Sequence, residues 1–234
     1  MAGRAEPLSA RIGRRALAAF CTRQVGRQVN LTVEHRTRLP ASGPVLLAAR
    51  HMHHLLDGCI LAGQIERPLH VLVAVDWAAP GPQRWLLDRA TGVLRWPAVM
   101  REGAAGSASA ADASRRLRAA TREAVTLLHE GQALIVFPEG YPNIDPRPTP
   151  KTGLDEILPF QLGAVRIAAL AARGGHPAVP IVPVGFWYRP LTGHRWHVVL
   201  RFGAPLFAGE FRDAAAAAAE IERRVRELSG PPGA

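Results

Sequence analysis

The chain has 234 residues, of which 48% are hydrophobic. A chain of this length and composition can bury a full core, which excludes an intrinsically disordered protein and favours one folded domain. Its 29 lysines and arginines outnumber 19 aspartates and glutamates, so the formal net charge is +10. This excess indicates an anionic partner. Three classes of partner are compatible with it: nucleic acid, an anionic bilayer surface and a phosphorylated substrate.

The cysteines and the apolar runs bear on the compartment. Cys21 and Cys59 stand in unrelated contexts without C-x-x-C spacing, so we expect no disulfide and a reducing interior. The sequence contains no apolar run near the ~18–20 residues of a membrane-spanning helix, and its first residues lack the pattern of a signal peptide. We therefore expect any contact with lipid to be peripheral.

The first predicted element is a basic helix over residues 8–28. Its apolar residues are predicted to share a broad face: Leu8, Ile12, Leu17, Phe20 and Val25. Five arginines supply its charge: Arg11, Arg14, Arg15, Arg23 and Arg27. Two interpretations are open. Such a helix can lie in an anionic membrane interface, or it can pack on the domain with its arginines in water.

Short apolar runs then alternate with helical stretches. The runs have the length and β-branched content of strands: Val45–Ala49, His70–Val75, Ala133–Phe137, Pro180–Val184 and His197–Phe202. Helices are predicted at about residues 54–64, 107–130, 160–173 and 213–228. This alternation predicts an α/β fold, a single domain whose mixed, largely central sheet is flanked by helices. We assign residues 1–28 to the N-terminal amphipathic helix, 29–229 to the domain and 230–234 to a flexible tail.

The segment after the first predicted strand is the richest in chemical groups, and reads Arg50-His51-Met52-His53-His54-Leu55-Leu56-Asp57-Gly58. Groups that follow the carboxyl end of a strand face an edge of the sheet where ligands bind. A histidine there can take a proton from a hydroxyl near neutral pH, and a nearby carboxylate such as Asp57 can orient its ring. A metal-dependent hydrolase built on His51, His53, His54 and Asp57 is an alternative. One or more of these histidines can also simply cap or pack.

A second segment runs from an apolar strand into a turn, Leu134-Ile135-Val136-Phe137-Pro138-Glu139-Gly140. It brings the Glu139 carboxylate and the flexible backbone of Gly140 to an edge of the sheet. Glycine lets backbone N–H groups approach an anion closely. The carboxylate would repel a phosphate unless an arginine intervened or the carboxylate accepted a substrate hydroxyl.

Together the two segments resemble the 1-acylglycerol-3-phosphate acyltransferase family of glycerolipid synthesis. The signature of that family is a His, four or five residues and an Asp, followed later by a strand that ends in Phe-Pro-Glu-Gly. Further segments are similar to the family's pattern and follow its order: Leu39 through Val45, Gly92 through Arg101, Phe160 through Ala164, Val179 through Val184, and Phe202 through Leu206. The resemblance covers roughly residues 30–230.

The resemblance implies a mechanism. His51 acts as general base on the acceptor hydroxyl, Asp57 orients its imidazole, and the alkoxide attacks the thioester of acyl-coenzyme A or acyl carrier protein. The thioester is a co-substrate, and neither a cofactor nor a metal is implied. Arg101 binds the phosphate of the acceptor, which is lysophosphatidate, glycerol 3-phosphate or a related molecule. Glu139 and Gly140 shape that pocket.

The chain departs from the family pattern at its histidine. His51 fits only the five-residue spacer to Asp57, and His53 is therefore a second candidate for the base. The chain also departs after the Glu-Gly turn, where Thr-Arg-Ser is usual and Tyr141-Pro142-Asn143 stands.

The second departure removes an arginine that could contact phosphate. Arg147, Lys151 and Arg166 are candidates to replace it, and Arg95 competes with Arg101 for the phosphate role.

An aromatic stretch predicted as a loop offers a second contact with lipid: Trp85, Leu86, Leu87, Trp96 and Pro97. Tryptophan favours the headgroup boundary, although these residues can equally line an acyl channel or the core. We therefore expect a peripheral protein at the cytoplasmic face of a membrane. A noncatalytic, basic membrane-binding protein is the remaining alternative. Nucleic acid is not an expected partner, because the arginines are scattered and no stacking platform accompanies them.

Overall fold

Strands and helices alternate along the chain in the computed structural model, which describes residues 8–76, 78, 81–100 and 110–233. The strands are β1 (Val29–Glu34), β2 (Val45–Ala49), β3 (Leu69–Val71), β4 (Val73–Ala74), β5 (Ala98–Val99), β6 (Ala133–Val136), β7 (Ile181–Leu191) and β8 (Arg195–Phe202). The helices are α1 (Leu8–Gln28), α2 (Leu56–Ala62), α3 (Pro82–Leu94), α4 (Ala110–His129), α5 (Gly163–Ala171) and α6 (Ala214–Leu228).

Six strands form one central sheet in the order β1-β8-β7-β2-β6-β3. All neighbours are parallel except β7 and β8, which are antiparallel, so the sheet is mixed as predicted. All five residues of β2 have 0% exposed surface. A parallel strand that is covered on both faces has no solvent side, and this explains why β2 reads as an unbroken apolar run.

Helices cover both faces of this sheet. Leu46 and Ala48 of β2 join a buried cluster with residues of α4, α5 and α6. Leu47 and Ala49 point the other way, into a cluster with residues of α2. Successive side chains of a strand alternate between its faces, so β2 contributes to both cores. The result is the predicted α/β domain, with the loops that follow β2 and β6 side by side at one edge of the sheet.

Two segments differ from their predicted structure. The run His70–Val75 is not one strand: β3 pairs with β6 in the central sheet, whereas β4 pairs with β5 in a separate two-stranded sheet. An apolar run does not reveal that its backbone changes partners partway. The aromatic stretch predicted as a loop lies largely in helix α3, which begins with Pro82 directly after Gly81. Proline suits that first helical position because its missing N–H would have no partner there.

Strand β7 is also longer than predicted. It continues past Val184 to Leu191 because β8 pairs with it antiparallel over this whole extension, from Val184 opposite Phe202 to Leu191 opposite Arg195. The extension carries β7 beyond the last residue of β2, toward the segment that contains His51.

Helix α1 has the predicted bounds, but its apolar residues divide between two sides. Ala10 and Cys21 are buried, whereas Leu8, Ile12 and Phe20 are 69%, 59% and 43% exposed. The buried side packs on α2 and α3. Among the helices of the described residues, none combines the length and the apolar composition needed to cross a membrane.

Candidate active site

The site is built around the carboxylate of Asp57, in the first turn of α2. Its side chain has 0% exposed surface. Oδ2 lies 3.1 Å from Nδ1 of His51 and accepts backbone N–H groups from Met52 at 2.7 Å and His53 at 2.8 Å. The loop between β2 and α2 therefore wraps around this oxygen and brings His51, the base expected from the sequence, into contact with Asp57.

Tyr188 of β7 binds the other carboxylate oxygen. Its hydroxyl donates to Oδ1 of Asp57 at 2.7 Å. Burial and the nearby Asp57 raise the pKa of Tyr188 well above its ordinary value, so the hydroxyl keeps its proton and remains a donor. Tyr188 was not among the predicted site residues, because the strand predicted in this region ended at Val184.

The ring of His51 lies between the Asp57 carboxylate and a large cavity. It stacks on Phe137 with centroids 4.1 Å apart and is 15% exposed. The cavity, of about 2200 Å³, is lined by His51, by residues of α1, α4 and α5, and by the turn after β6. An Nδ1–H that donates to Asp57 leaves the lone pair on Nε2, the nitrogen that can accept a proton.

Glu139 and Lys151 hold the backbone of His51 from both sides. Oε1 of Glu139 accepts the His51 N–H at 2.8 Å, and Lys151 Nζ donates to the His51 carbonyl at 3.0 Å. The two side chains are fully buried and form an ion pair of 2.5 Å. Burial lowers the pKa of Lys151, and Glu139 opposes that shift. Lys151, a sequence candidate for binding phosphate, is thus engaged with the protein.

Gly140 forms the turn after β6 and lines the cavity. Its φ of +76° lies in the left-handed region, and a Cβ there would come within 3.3 Å of Nε2 of Gln161. Glycine is the residue that adopts this conformation without strain, which accounts for its presence at the turn.

His53 and His54 are occupied with local structure. Nδ1 of His53 accepts the N–H groups of Leu55 at 3.2 Å and Leu56 at 3.4 Å, which caps the start of α2. Burial lowers the pKa of His53 to about 4. Nδ1 of His54 lies 3.2 Å from the carbonyl oxygen of Ile144. Within the described part of the chain, no three His, Cys, Asp or Glu side chains converge in a way that could hold a metal ion.

The arginines that are candidates for binding the acceptor phosphate lie in different places. Arg101 lies outside the described residues. Arg95 binds two carboxylates, Glu123 at 2.9 Å and Glu130 at 2.6 Å, and its hydrogen bonds to Glu130 raise its pKa. Arg147 and Arg166 line the cavity that contains His51.

Comparison with known proteins identifies the family. The family model described as Acyltransferase matches residues 30–187, which include His51, Asp57, Glu139 and Gly140. The chain belongs to the Acyltransferase family. It is an acyltransferase, and the resemblance seen in the sequence is confirmed at this level.

A solved structure shares the fold. The crystal structure of the 1-acyl-sn-glycerophosphate (LPA) acyltransferase PlsC from Thermotoga maritima is similar, with a TM-score of 0.63 and 19% sequence identity. The similarity covers 92% of this chain and 77% of that one. No curated protein matches the chain.

Proposed function

We propose that this acyltransferase moves a fatty acyl group from a thioester donor to a hydroxyl of lysophosphatidate, glycerol 3-phosphate or a related acceptor in phospholipid synthesis. The observation that carries the proposal is the His51–Asp57 pair at 3.1 Å beside a large cavity. The fold shared with a lysophosphatidate acyltransferase supports the acceptor class.

In the proposed reaction His51 is the general base. Its Nε2 takes the proton of the acceptor hydroxyl as the oxygen attacks the thioester carbonyl. The tetrahedral intermediate then expels the thiolate, which receives that proton from the imidazolium. The buried Asp57 stabilises the imidazolium and fixes its tautomer. General base catalysis by His51 is expected to contribute about 10²–10⁴ in rate. This reaction uses no cofactor and no metal, and the thioester is a co-substrate.

Two features favour His51 over His53 as the base. The His51 ring lines the cavity and pairs with the Asp57 side chain, whereas Nδ1 of His53 accepts backbone N–H groups of α2. A pKa of about 4 also makes His53 a weak base near neutral pH.

The acceptor phosphate is proposed to bind Arg101, and Glu139 and Gly140 are proposed to shape the pocket for it. A carboxylate near this site would ordinarily repel phosphate. Here the ammonium of Lys151 pairs with Glu139, which reduces that repulsion while Glu139 positions His51. The left-handed turn at Gly140 supports a role in shaping the pocket.

We further propose that the protein binds the cytoplasmic face of a membrane through α1 and α3, which pack on each other. Trp85 and Leu86 of α3 are each 63% exposed, and Arg89 lies over the Trp85 ring at 5.7 Å. Exposed apolar side chains beside arginines suit the boundary between acyl chains and anionic headgroups. Leu8, Ile12 and Phe20 of α1 supply further apolar surface.

Acyl transfer by purified protein in detergent micelles tests the proposal. Acyl-coenzyme A donors would be supplied with lysophosphatidate or glycerol 3-phosphate, to wild type and to the His51→Ala and His53→Ala variants. We expect the wild type to form product. The rate should fall about 10²–10⁴-fold in His51→Ala, and His53→Ala should retain most of the wild-type rate. Loss of activity in His53→Ala alone would assign the base to His53. No product from wild type with any acceptor, whether the donor is acyl-coenzyme A or acyl carrier protein, would reject the reaction.

A further inference from the structure

Three arginines on two packed helices face the same cavity as His51. They are Arg118 and Arg122 of α4 and Arg166 of α5. All three are exposed. Residues four positions apart on a helix lie one turn apart on the same side, so the two arginines of α4 are neighbours. The charges of Arg118 and Arg122 therefore lie close together, and Arg166 lies on a helix that packs against theirs.

None of these three guanidinium groups has an ion pair or a hydrogen bond with any residue that the structure describes. Other arginines of α4 are paired, Arg115 with Asp112 and Arg116 with Asp88. Like charges one helical turn apart repel each other, so an uncompensated cluster costs stability unless an anion joins it. Among the residues that the structure describes, the cavity lining carries eight arginines and three carboxylates, an excess of positive charge.

We propose that Arg118, Arg122 and Arg166 bind the phosphate groups of a coenzyme A thioester, the acyl donor. The inference rests on the proposed function and adds the identity of the donor. Guanidinium groups suit this role because their paired N–H groups match phosphate oxygens. The exposed rim also suits a nucleotide that stays in water while its thioester end enters the cavity toward His51.

The charge of the ligand indicates that these arginines bind the acyl donor rather than the acceptor. The single phosphate monoester of the acceptor carries about −1.5 to −2. Coenzyme A adds a diphosphate to one such monoester, for a total of about −4, which is enough to compensate three arginines. The acceptor phosphate has its own candidate in Arg101.

Direct binding measures this site without requiring turnover. Isothermal titration calorimetry would compare coenzyme A, 3′-dephospho-coenzyme A and pantetheine on the full chain. We expect coenzyme A to bind most tightly, and Arg118→Ala, Arg122→Ala and Arg166→Ala each to weaken its binding by roughly 10-fold. Pantetheine, which lacks phosphate, should bind all variants equally. Arg115→Ala is the matched control, because Arg115 pairs with Asp112 and does not line the cavity.

Kinetics then distinguish the donor from the acceptor. In the three variants the KM for acyl-coenzyme A should rise by roughly 10-fold, while the KM for lysophosphatidate and the rate with acyl-pantetheine stay unchanged. The inference is overturned if coenzyme A binding is unaffected, if the KM of the acceptor rises instead, or if only transfer from acyl carrier protein is lost. Coenzyme A binding that depends on these arginines, in a wild type that transfers no acyl group, would reject the proposed function and leave this site standing.

Discussion

The hydroxyl of Tyr188 donates to Oδ1 of Asp57 at 2.7 Å, between residues 131 positions apart in the chain. This hydrogen bond engages the carboxylate oxygen that His51 does not contact, so each oxygen of Asp57 has a side-chain partner. We predict that Tyr188→Phe lowers kcat by roughly 10-fold and destabilises the protein by about 1.5–3 kcal/mol, because a buried charged acceptor loses its donor. Steady-state kinetics and urea unfolding measure the two effects. Trp187→Phe, at the next position of β7, serves as the control, and equal effects in both variants would contradict the prediction.

The contributions of Glu139 and Lys151 to stability should depend strongly on each other, because the two side chains form a buried ion pair. Either Glu139→Gln or Lys151→Met leaves one buried charge without its partner, which is expected to cost about 3–5 kcal/mol in the free energy of unfolding. The double variant removes both charges, so its loss in the free energy of unfolding should be well below the sum of the losses in the two single variants.

Urea unfolding of the wild type, the two single variants and the double variant measures this coupling as a double-mutant cycle. Activity should fall in all three variants because both side chains hold the His51 backbone. Additive losses of stability would show that the ion pair contributes little.

His53 should make stability depend on pH. Its pKa falls from 6.5 to about 4 on folding because burial disfavours the charged ring. As pH drops below 6.5 the unfolded chain binds a proton that the folded protein takes up only near pH 4, so stability declines across this window. We predict that His53→Asn flattens this part of the curve. Unfolding free energies at pH 7, 6, 5 and 4 test it, and parallel curves for wild type and variant would rule out this role.

Gly185 of β7 lies against the end of α6. A Cβ at this position would come within 2.5 Å of the backbone carbon of Leu228, too close without a shift of the helix. We predict that Gly185→Ala destabilises the protein by about 1–3 kcal/mol, the usual range for overpacking. Gly26→Ala is the control, since nothing lies within 4 Å of a Cβ there and alanine favours a helix. Thermal unfolding should show a lower Tm for the first variant and an unchanged or higher Tm for the second.

The sequence was most informative where the interacting groups lie in one short segment. His51 and Asp57 are six positions apart after a strand, so their pairing could be predicted from local pattern. The expected α/β fold followed from the alternation of apolar runs, and β2 and α1 have their predicted bounds.

Contacts between distant segments were not predictable in the same way. Tyr188 reaches Asp57 because β8 extends β7, and Lys151 reaches His51 through a long loop. Lys151 was a candidate phosphate ligand because the sequence shows that it is a cation but does not show that it is buried. Apolar content likewise predicted one strand at His70–Val75, where the backbone changes from one sheet to another.

The pairing of β1 with β8 has a consequence for how the chain assembles. Arg201 binds Glu34 at 2.7 Å across these strands, and the two residues are 167 positions apart. At ~5–20 residues per second, translation of that interval takes roughly 8–30 s. Throughout that time β1 leaves the ribosome ahead of the strand that completes it, so the sheet closes at this edge only after residues 195–202 have been made. A nascent chain that stops before β8 therefore carries an unpaired strand directly after an arginine-rich helix.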